Sequence, residues 1–574
     1  MKELIRKADA ILEKYSKVML IVIFICGLLL YGLVASRMTG PGFFNVDEEL
    51  YQSMAKSFFY EGHFAKNYNI LSYNCVIYSI LISIAYFFYS AENIIFIMRF
   101  IGVIVMMTSV FPIYLLSKEV LKSKSKAILI SAFSILIPEF MLTIYLVQEV
   151  LCYPVFLWIA YLVYLKVTRE KSKIIDMSLI ALLALIFFIK SYAIVFAGAY
   201  FGTLCLIELK NKNYKKLGSY IAQGLSCLAI ILIGIFLIRA VNGEGVNHYS
   251  NQISQIFPLD LNKIIAFFYG NFYYSVLFLY CIGFLPVLIP LFKFKSYDEK
   301  DRKFIMFLLL SALFTIIEAA TIVFIPEERE KLYPAKFCYR YLAPIFVPLL
   351  IMFLKCKKEN VKISKGMIGV YLIALLYLGW YYLGGEDWVT AIDASVLFVI
   401  QMLCEIIHLR RLKVLGVVFA VLVVIGMILV NKKEKLQKIY MVFLVIGCII
   451  IFPMHYRQHS RYLNTGRMGV MLKPDFVTTS EYIGREYDKV YLIVDEEELS
   501  FCMRSFFAYS KSDFELIQQF EGDRNIEVNN RKIALIVADN FKGNIEGATK
   551  VDLDTNYIHV YVVEENQKEL NVKF

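Results

Sequence analysis

Runs of about twenty apolar, uncharged residues recur along this 574-residue chain, from Val18 almost to Pro453. A helix needs a segment of that length and composition to cross the hydrocarbon core of a bilayer. Hydrophobic residues make up 59% of the chain, charged residues 19%, and the mean hydropathy is +0.61. Soluble domains are nearer to about 25% charged. The sequence therefore predicts a polytopic membrane protein, and it excludes a soluble enzyme, a disordered chain and a nucleic-acid binder.

The net charge of +11 is distributed unevenly. From Val470 to Phe574 there are 12 Lys and Arg against 20 Asp and Glu, a balance of −8, so the preceding part carries +19. An excess of Lys and Arg is typical of cytoplasmic loops. The basic segment Met1–Lys17 precedes the first apolar run without a small-residue cleavage site after it, which predicts an uncleaved first span with its N-terminus inside.

Basic loops set the predicted topology of the following spans. Five of them are placed inside: Lys118–Lys126, Lys166–Lys173, Lys210–Lys216, Lys293–Lys303 and Lys355–Lys365. This arrangement requires that the apolar run Cys75–Tyr89 does not cross the membrane. We therefore predict a re-entrant or interfacial helix there.

Beyond Gly366 the charge rule no longer decides the topology. If the segments Ile392–Ile407, Val414–Val430 and Met441–Pro453 all cross, the C-terminal tail is cytoplasmic. If Ile392–Ile407, which carries three polar residues, lies along the outer surface, about 13 spans remain and the tail is outside. We favour the second arrangement because the acidic tail does not resemble the basic loops that are retained inside.

The tail alternates strand and helix patterns, with strands predicted at Val490–Val494, Lys532–Ala538 and Tyr557–Val563. This pattern predicts a small α/β domain with a mixed sheet. We divide the chain into a membrane domain, residues 1–465 with a first outer loop at 37–74, and a soluble α/β domain, residues 466–574. The predicted fold class is an all-α polytopic membrane protein that carries this small domain outside.

The first outer loop contains the most informative motif. The acidic pair Asp47-Glu48 opens an amphipathic helix that ends at Gly62. Its apolar stripe consists of Leu50, Met54 and Phe58. On composition alone, helix capping by Asn45 or Asp47, with carboxylates at the positive end of the helix dipole, explains the acidic pair better than catalysis does.

This motif resembles the first external loop of the C-type (GT-C) glycosyltransferases, a group that includes protein O-mannosyltransferases and lipid A aminoarabinose transferases. The similarity rests on Asp47-Glu48, on the later text Arg340-Tyr-Leu-Ala-Pro344, and on Arg99 and Glu149, which lie where that group carries an Arg and an outer carboxylate. One departure is Asn74-Cys-Val-Ile-Tyr78, where the group often has Pro-Pro-Leu-Tyr.

The resemblance implies a glycosyltransferase that takes a sugar from a polyprenyl-phosphate donor and passes it to an unidentified glycan, lipid or protein acceptor outside a bacterial cytoplasmic membrane. It implies catalytic roles for Asp47, Glu48 and Glu149. The chemistry of such a reaction also calls for cations that hold the charge on the departing phosphate. We assign this donor phosphate binding to Lys336 and Arg340, with Arg99 and Lys190 as the next candidates. The sequence requires no cofactor and leaves open whether a divalent metal ion takes part.

Other interpretations of these residues stay open at this point. Each of the four cations lies near the end of a span, where a long basic side chain can extend to the interface without any catalytic role. Glu149 fits a helix terminus. The rival function is a transporter or flippase of lipid-linked sugars, which would place its charges near the middle of the membrane in pseudo-symmetric halves. A glycan polymerase or ligase is a further alternative.

Overall fold

The computed structural model describes residues 2–38, 46–66, 69–88, 91–169, 172–242, 260–324, 338–356, 364–384, 436–463, 466–494, 503, 507, 510–518, 522–539, 541–563 and 567–573. Within these residues, eight helices are long and apolar enough to cross a membrane, or nine if one bent pair counts as a span. A multi-pass membrane architecture is thus confirmed. The count of about 13 depends partly on Ile392–Ile407 and Val414–Val430, which lie outside the described residues.

The helices of the first half are α1 Lys2–Lys14, α2 Ser16–Arg37, α3 Val46–Glu61, α4 Ile77–Ser83, α5 Ala91–Met107, α6 Val110–Leu121, α7 Lys124–Ser134, α8 Glu149–Thr168, α9 Lys173–Ile189, α10 Ile194–Lys210 and α11 Tyr214–Asn242. Those of the second half are α12 Leu261–Cys281, α13 Leu285–Phe292, α14 Glu299–Phe324, α15 Ala343–Lys355, α16 Lys365–Gly384, α17 Leu436–Leu463 and α18 Gly466–Ile483. Helix α8 lies at the centre of the bundle, since most of its side chains are buried.

The helical part of the segment predicted as re-entrant or interfacial is too short to cross a membrane as a helix. Helix α4 has 7 residues and continues as a 3-10 helix, Ile84–Phe87, of 4 residues. At about 1.5 Å per residue these eleven residues span roughly 16 Å. That is about half of the ~30 Å hydrocarbon core.

The apolar run Ala127–Leu146, which the sequence predicts as one span, is not one straight helix. Helix α7 ends at Ser134, and a 3-10 helix, Pro138–Ile144, follows at an angle of 52°. Pro138 occupies the first turn of the second piece, where its missing N–H costs nothing, but it cannot continue the helix before it. The chain therefore bends at this proline before it reaches α8.

Several of the basic loops meet at one end of the bundle, which we call the basic face. Three contacts join them: the ion pair Arg169–Glu119 at 3.6 Å, the ion pair Lys355–Asp301 at 2.6 Å, and the hydrogen bond from Ser123 to Glu13 at 3.0 Å. Lys300 also donates a hydrogen bond of 3.2 Å to the carbonyl of Thr168, so four of the five predicted inside loops meet at this end. The opposite end, on which α3 lies, is the α3 face.

The C-terminal tail contains two small sheets, in addition to the hairpin of β1 Ala65–Lys66 and β2 Asn69–Ile70 in the first outer loop. The strands of the tail are β3 Lys489–Val494, β4 Glu515–Gln518, β5 Arg524–Glu527, β6 Ile533–Ala538, β7 Asn544–Glu546, β8 Ala548–Lys550, β9 Ile558–Val563 and β10 Glu569–Lys573. Within the described residues, a five-stranded sheet has the order β4-β3-β6-β9-β8, and a three-stranded antiparallel sheet has the order β5-β10-β7. Strand β3 is parallel to both neighbours, whereas β9 is antiparallel to β6, so the predicted mixed sheet is confirmed.

The tail packs against α3. Leu50 and Met54 of α3 share an apolar cluster with Phe476, Leu492 and Phe507 of the tail. This contact places the tail on the same side of the membrane as α3. The arrangement that puts the tail on the side of the basic loops is therefore wrong.

Lys56 of α3 forms the central polar contact of this interface. The side chain is 2% exposed, donates a hydrogen bond of 2.7 Å to the carbonyl of Ser512, and pairs with Asp513 at 3.2 Å. Burial lowers the pKa of Lys56, and the Asp513 carboxylate opposes that shift. A buried cation is tolerated here because a carboxylate and a carbonyl replace its lost water.

We expect Lys56→Ala to loosen the tail, since breaking a buried ion pair costs about 3–5 kcal/mol. The measurement is the thermal midpoint of the purified protein, together with limited proteolysis of the tail. Lys573→Ala is the matched control, because Lys573 pairs with Glu546 at 2.8 Å but both side chains are about half exposed. Equal behaviour of the two variants would contradict the docking role of Lys56.

Candidate active site at the α3 face

Helix α3 presents its acidic first turn at the α3 face. Asp47, Glu48 and Glu49 lie in this turn, where carboxylates interact favourably with the positive end of the helix dipole. The helix ends as predicted at Gly62, whose φ of +75° suits glycine and whose amide donates to the carbonyl of Phe58. Capping by Asn45 lies outside the described residues.

A buried carboxylate holds two cations at the centre of the site. Glu149 is the first residue of α8, and its Oε1 lies 3.2 Å from Nε of Arg340 and 3.4 Å from Nζ of Lys190. Glu149 and Arg340 are each 3% exposed, and Lys190 is 8% exposed. Three residues that the sequence only placed near span ends are thus in direct contact. Their burial excludes the interpretation that Arg340 and Lys190 only extend into lipid headgroups.

Asp47 lies at the open side of this group. Its Oδ2 is 4.0 Å from a terminal nitrogen of Arg340, at the outer limit of an ion pair. The Asp47 side chain is 28% exposed, unlike the three buried groups. The site therefore combines an accessible carboxylate with a guanidinium that a second carboxylate already orients.

Two tyrosines surround the cations and were not predicted as site residues. Lys190 lies 5.7 Å from the ring centroids of both Tyr51 and Tyr341, and it donates a hydrogen bond of 3.2 Å to the Tyr51 hydroxyl. Arg340 lies 5.4 Å from the Tyr341 ring. Such cation–π contacts gain strength where water is excluded. Their positions in the sequence could have identified them as site residues, because Tyr51 is one helical turn after Asp47 and Tyr341 follows Arg340.

Glu48 faces away from Asp47 and binds the chain that leads into α8. Its Oε1 accepts a hydrogen bond of 2.8 Å from the Leu146 amide, and the residue is 2% exposed. Two residues further on, Gln148 donates a hydrogen bond of 2.8 Å to the carbonyl of Cys75. These two bonds hold the segment that ends at Glu149.

The remaining predicted cations differ in position. Arg99, which is 2% exposed on α5, donates a hydrogen bond to the carbonyl of Met38 at the end of α2. This hydrogen bond links α5 to the end of α2 at the α3 face, and its acceptor is a backbone carbonyl. Lys336 lies outside the described residues.

The described side chains do not suit a metal ion. Within the described ranges, no group of three or more His, Cys, Asp and Glu residues is arranged to hold one. Glu149 contacts two cations, which leaves its carboxylate poorly suited to bind a third positive charge.

Comparisons with known proteins agree with this architecture. No protein-family model matches the sequence, and no curated protein sequence matches it. The crystal structure of ArnT from Cupriavidus metallidurans bound to undecaprenyl phosphate is similar, with a TM-score of 0.53, 12% identity, and coverage of 94% of this chain and 97% of that chain. ArnT in the apo state is similar with a TM-score of 0.50 and 11% identity over the same shares.

An Archaeoglobus fulgidus oligosaccharyltransferase in the apo form aligns with 87% of this chain and 65% of its own, at 12% identity and a TM-score of 0.41, which by itself does not establish a common fold. The likeness to ArnT extends over almost the whole of both chains. This protein therefore has the GT-C fold, as the resemblance implied.

Proposed function

We propose that this protein is a glycosyltransferase that moves a sugar from a polyprenyl-phosphate-linked donor to an envelope acceptor on the outer face of the membrane. The observation that carries the proposal is the meeting of Asp47 with the Arg340, Glu149 and Lys190 group at one end of the bundle. The GT-C fold supports it, and so does the undecaprenyl phosphate bound to ArnT, a protein of similar fold.

The chemistry explains why this combination of side chains is suitable. Nucleotide sugars are not available outside the cell membrane, so a lipid-linked donor is needed. A phosphate leaves without a general acid. The reaction then needs one carboxylate to take the acceptor's proton, and cations to stabilise the charge that grows on the phosphate as the sugar becomes oxocarbenium-like.

Asp47 takes the role of base in this proposal. It is the accessible carboxylate of the group, because Glu149 is 3% exposed and Glu48 is 2% exposed. A base must also come within hydrogen-bond reach of the acceptor hydroxyl. The exposed side of Asp47 is the one that an acceptor can approach.

Arg340 takes the role of phosphate ligand, assisted by Lys190. Arginine binds phosphate through a planar fork of donors, and Glu149 holds the Nε side of that fork.

The contacts of Glu149 favour a positioning role over direct catalysis, since a carboxylate between two cations is a weak base. Glu48 also acts by positioning, through Leu146. Arg99 and Lys336 stay as further candidates for the phosphate.

The distribution of charges favours an enzyme over a transporter. A transporter or flippase is expected to bind its substrate near the middle of the membrane. In this protein the cations and carboxylates meet at one end of the bundle, where α8 and α15 begin, next to helix α3 of the first outer loop.

We expect Asp47→Asn to retain donor binding and to lose at least about 10²-fold in kcat, the usual contribution of general-base catalysis. The measurement is transfer from a lipid-linked donor by purified protein in detergent. Glu49→Gln is the matched control: it neutralises a carboxylate in the same helical turn, but one that pairs with Lys66 at 3.2 Å. Near-normal turnover by Asp47→Asn would exclude Asp47 as the base.

We expect Arg340→Ala to lower kcat/KM by roughly 10- to 150-fold, because a charge-assisted contact contributes about 1.5–3 kcal/mol. Arg340→Lys should not restore the rate, since lysine keeps the charge but lacks the fork. Arg485→Lys is the control: Arg485 pairs with Glu61 of α3 at 2.8 Å on the same face. If Arg340→Ala keeps its kcat and KM, the phosphate binds elsewhere, with Lys190 and Arg99 as the next candidates.

The outward orientation is tested with single cysteines in a background without native cysteines. We expect Lys550→Cys, exposed on β8, to react with a membrane-impermeant maleimide in intact cells. Lys212→Cys, exposed between α10 and α11, should react only after the cells are permeabilised. The reverse pattern would mean that the α3 face points into the cytoplasm, where the proposed donor chemistry has no special advantage.

A further inference from the structure

A basic cavity lies far from Asp47, at the other end of α2. It has a volume of about 630 Å³ and is formed where α1, α2, α6 and α7 meet. Four lysines line it: Lys14, Lys17, Lys118 and Lys124. Its eleven lining residues include no carboxylate. A ligand for this cavity must therefore carry negative charge.

The acidic residues nearby are occupied by other contacts. Glu13 of α1 accepts hydrogen bonds of 3.0 Å from the Ser123 hydroxyl and from the Ser125 amide. Asp9 accepts one of 2.8 Å from the Ser125 hydroxyl. These bonds fasten α1 to the start of α7 through its acidic side. Glu119 pairs with Lys122 and Arg169. Glu13 also interacts electrostatically with Lys124, so the excess positive charge of the cavity rests mainly on the other three lysines.

The cavity also has an apolar side that leads into the membrane. Val18, Leu20, Phe111 and Leu115 line it together with the lysines. Val18 is 58% exposed, at the beginning of the first span. The lysines lie at the membrane surface, and the apolar residues continue from them along the span. An amphiphile would contact both parts of this cavity, whereas a free anion would contact only the basic part.

The depth of the cavity separates it from the proposed active site. Helix α2 begins in the cavity lining, at Ser16, and ends at Arg37, next to the Met38 carbonyl that Arg99 contacts. Its 22 residues extend about 33 Å at 1.5 Å per residue, which is close to the thickness of the hydrocarbon core. The two sites therefore open to opposite leaflets.

We propose that this cavity binds the headgroup of an anionic phospholipid in the leaflet opposite the Asp47–Arg340 site, with the phosphodiester among the lysines and an acyl chain along Val18 and Leu115. Basic pockets between transmembrane helices suit such headgroups, and each lysine near the surface contributes about 5-fold in affinity. The ligand is a lipid, not a soluble phosphate, because Val18, Leu20, Phe111 and Leu115 line the cavity beside the lysines. The inference does not depend on the proposed enzymatic function.

The test is native mass spectrometry of the full-length protein in detergent with phosphatidylglycerol, phosphatidylcholine or inorganic phosphate. Wild-type protein should retain phosphatidylglycerol, and neither of the other two. The triple variant Lys17→Gln, Lys118→Gln, Lys124→Gln should lose on the order of 10²-fold in affinity. The control triple variant changes Lys210, Lys215 and Lys216 to Gln, exposed lysines of the basic face outside the cavity, and should bind like wild type.

Two results would overturn the proposal. One is equal retention of phosphatidylglycerol by wild type and the cavity variant, which would place lipid binding elsewhere. The other is equal retention of phosphatidylcholine, which would show that charge does not select the ligand. If the triple variant does not give monodisperse protein, Lys17→Gln and Lys118→Gln are measured singly. Each should then lose about 5-fold, and no loss in either would also reject the site.

Discussion

The ion group of Glu149 with Arg340 and Lys190 is the interaction on which the α3 face depends. Placing two cations at the end of a membrane bundle is costly unless a carboxylate is within contact distance. Glu149 supplies that carboxylate at 3.2 Å and 3.4 Å, and it does so from the first turn of α8, a helix with mostly buried side chains. Because the start of α8, the 3-10 turn before α15 and the α9–α10 junction each contribute one member, the group joins three parts of the bundle at one point.

The rest of the face is arranged around this group by contacts from α3. Glu48 binds the Leu146 amide, Tyr51 accepts from Lys190, and Asp47 lies 4.0 Å from Arg340. The tail in turn rests on the other side of α3 through Lys56. The tail and the proposed base are therefore held by the same helix.

Much of the architecture could be predicted from local sequence. The apolar runs, the short helix at Cys75–Tyr89 and the strands of the tail follow from length and periodicity, which act within a few residues. The break at Pro138 was missed, because a run of apolar residues looks continuous when a single proline interrupts it. The second, three-stranded sheet was also missed, since its strands are short and two of them lie at its edges.

The sequence by itself determined which residue types lie at the α3 face. It singled out Asp47, Glu149, Lys190 and Arg340, because charges are rare near apolar spans and the motif spacing was informative. Only the tertiary structure decided that Glu149 joins the two cations, that Asp47 is the accessible carboxylate, and that Glu48 binds backbone. The physical reason is that ion pairing and burial depend on distances between helices that are far apart in the chain, and no local pattern encodes those distances.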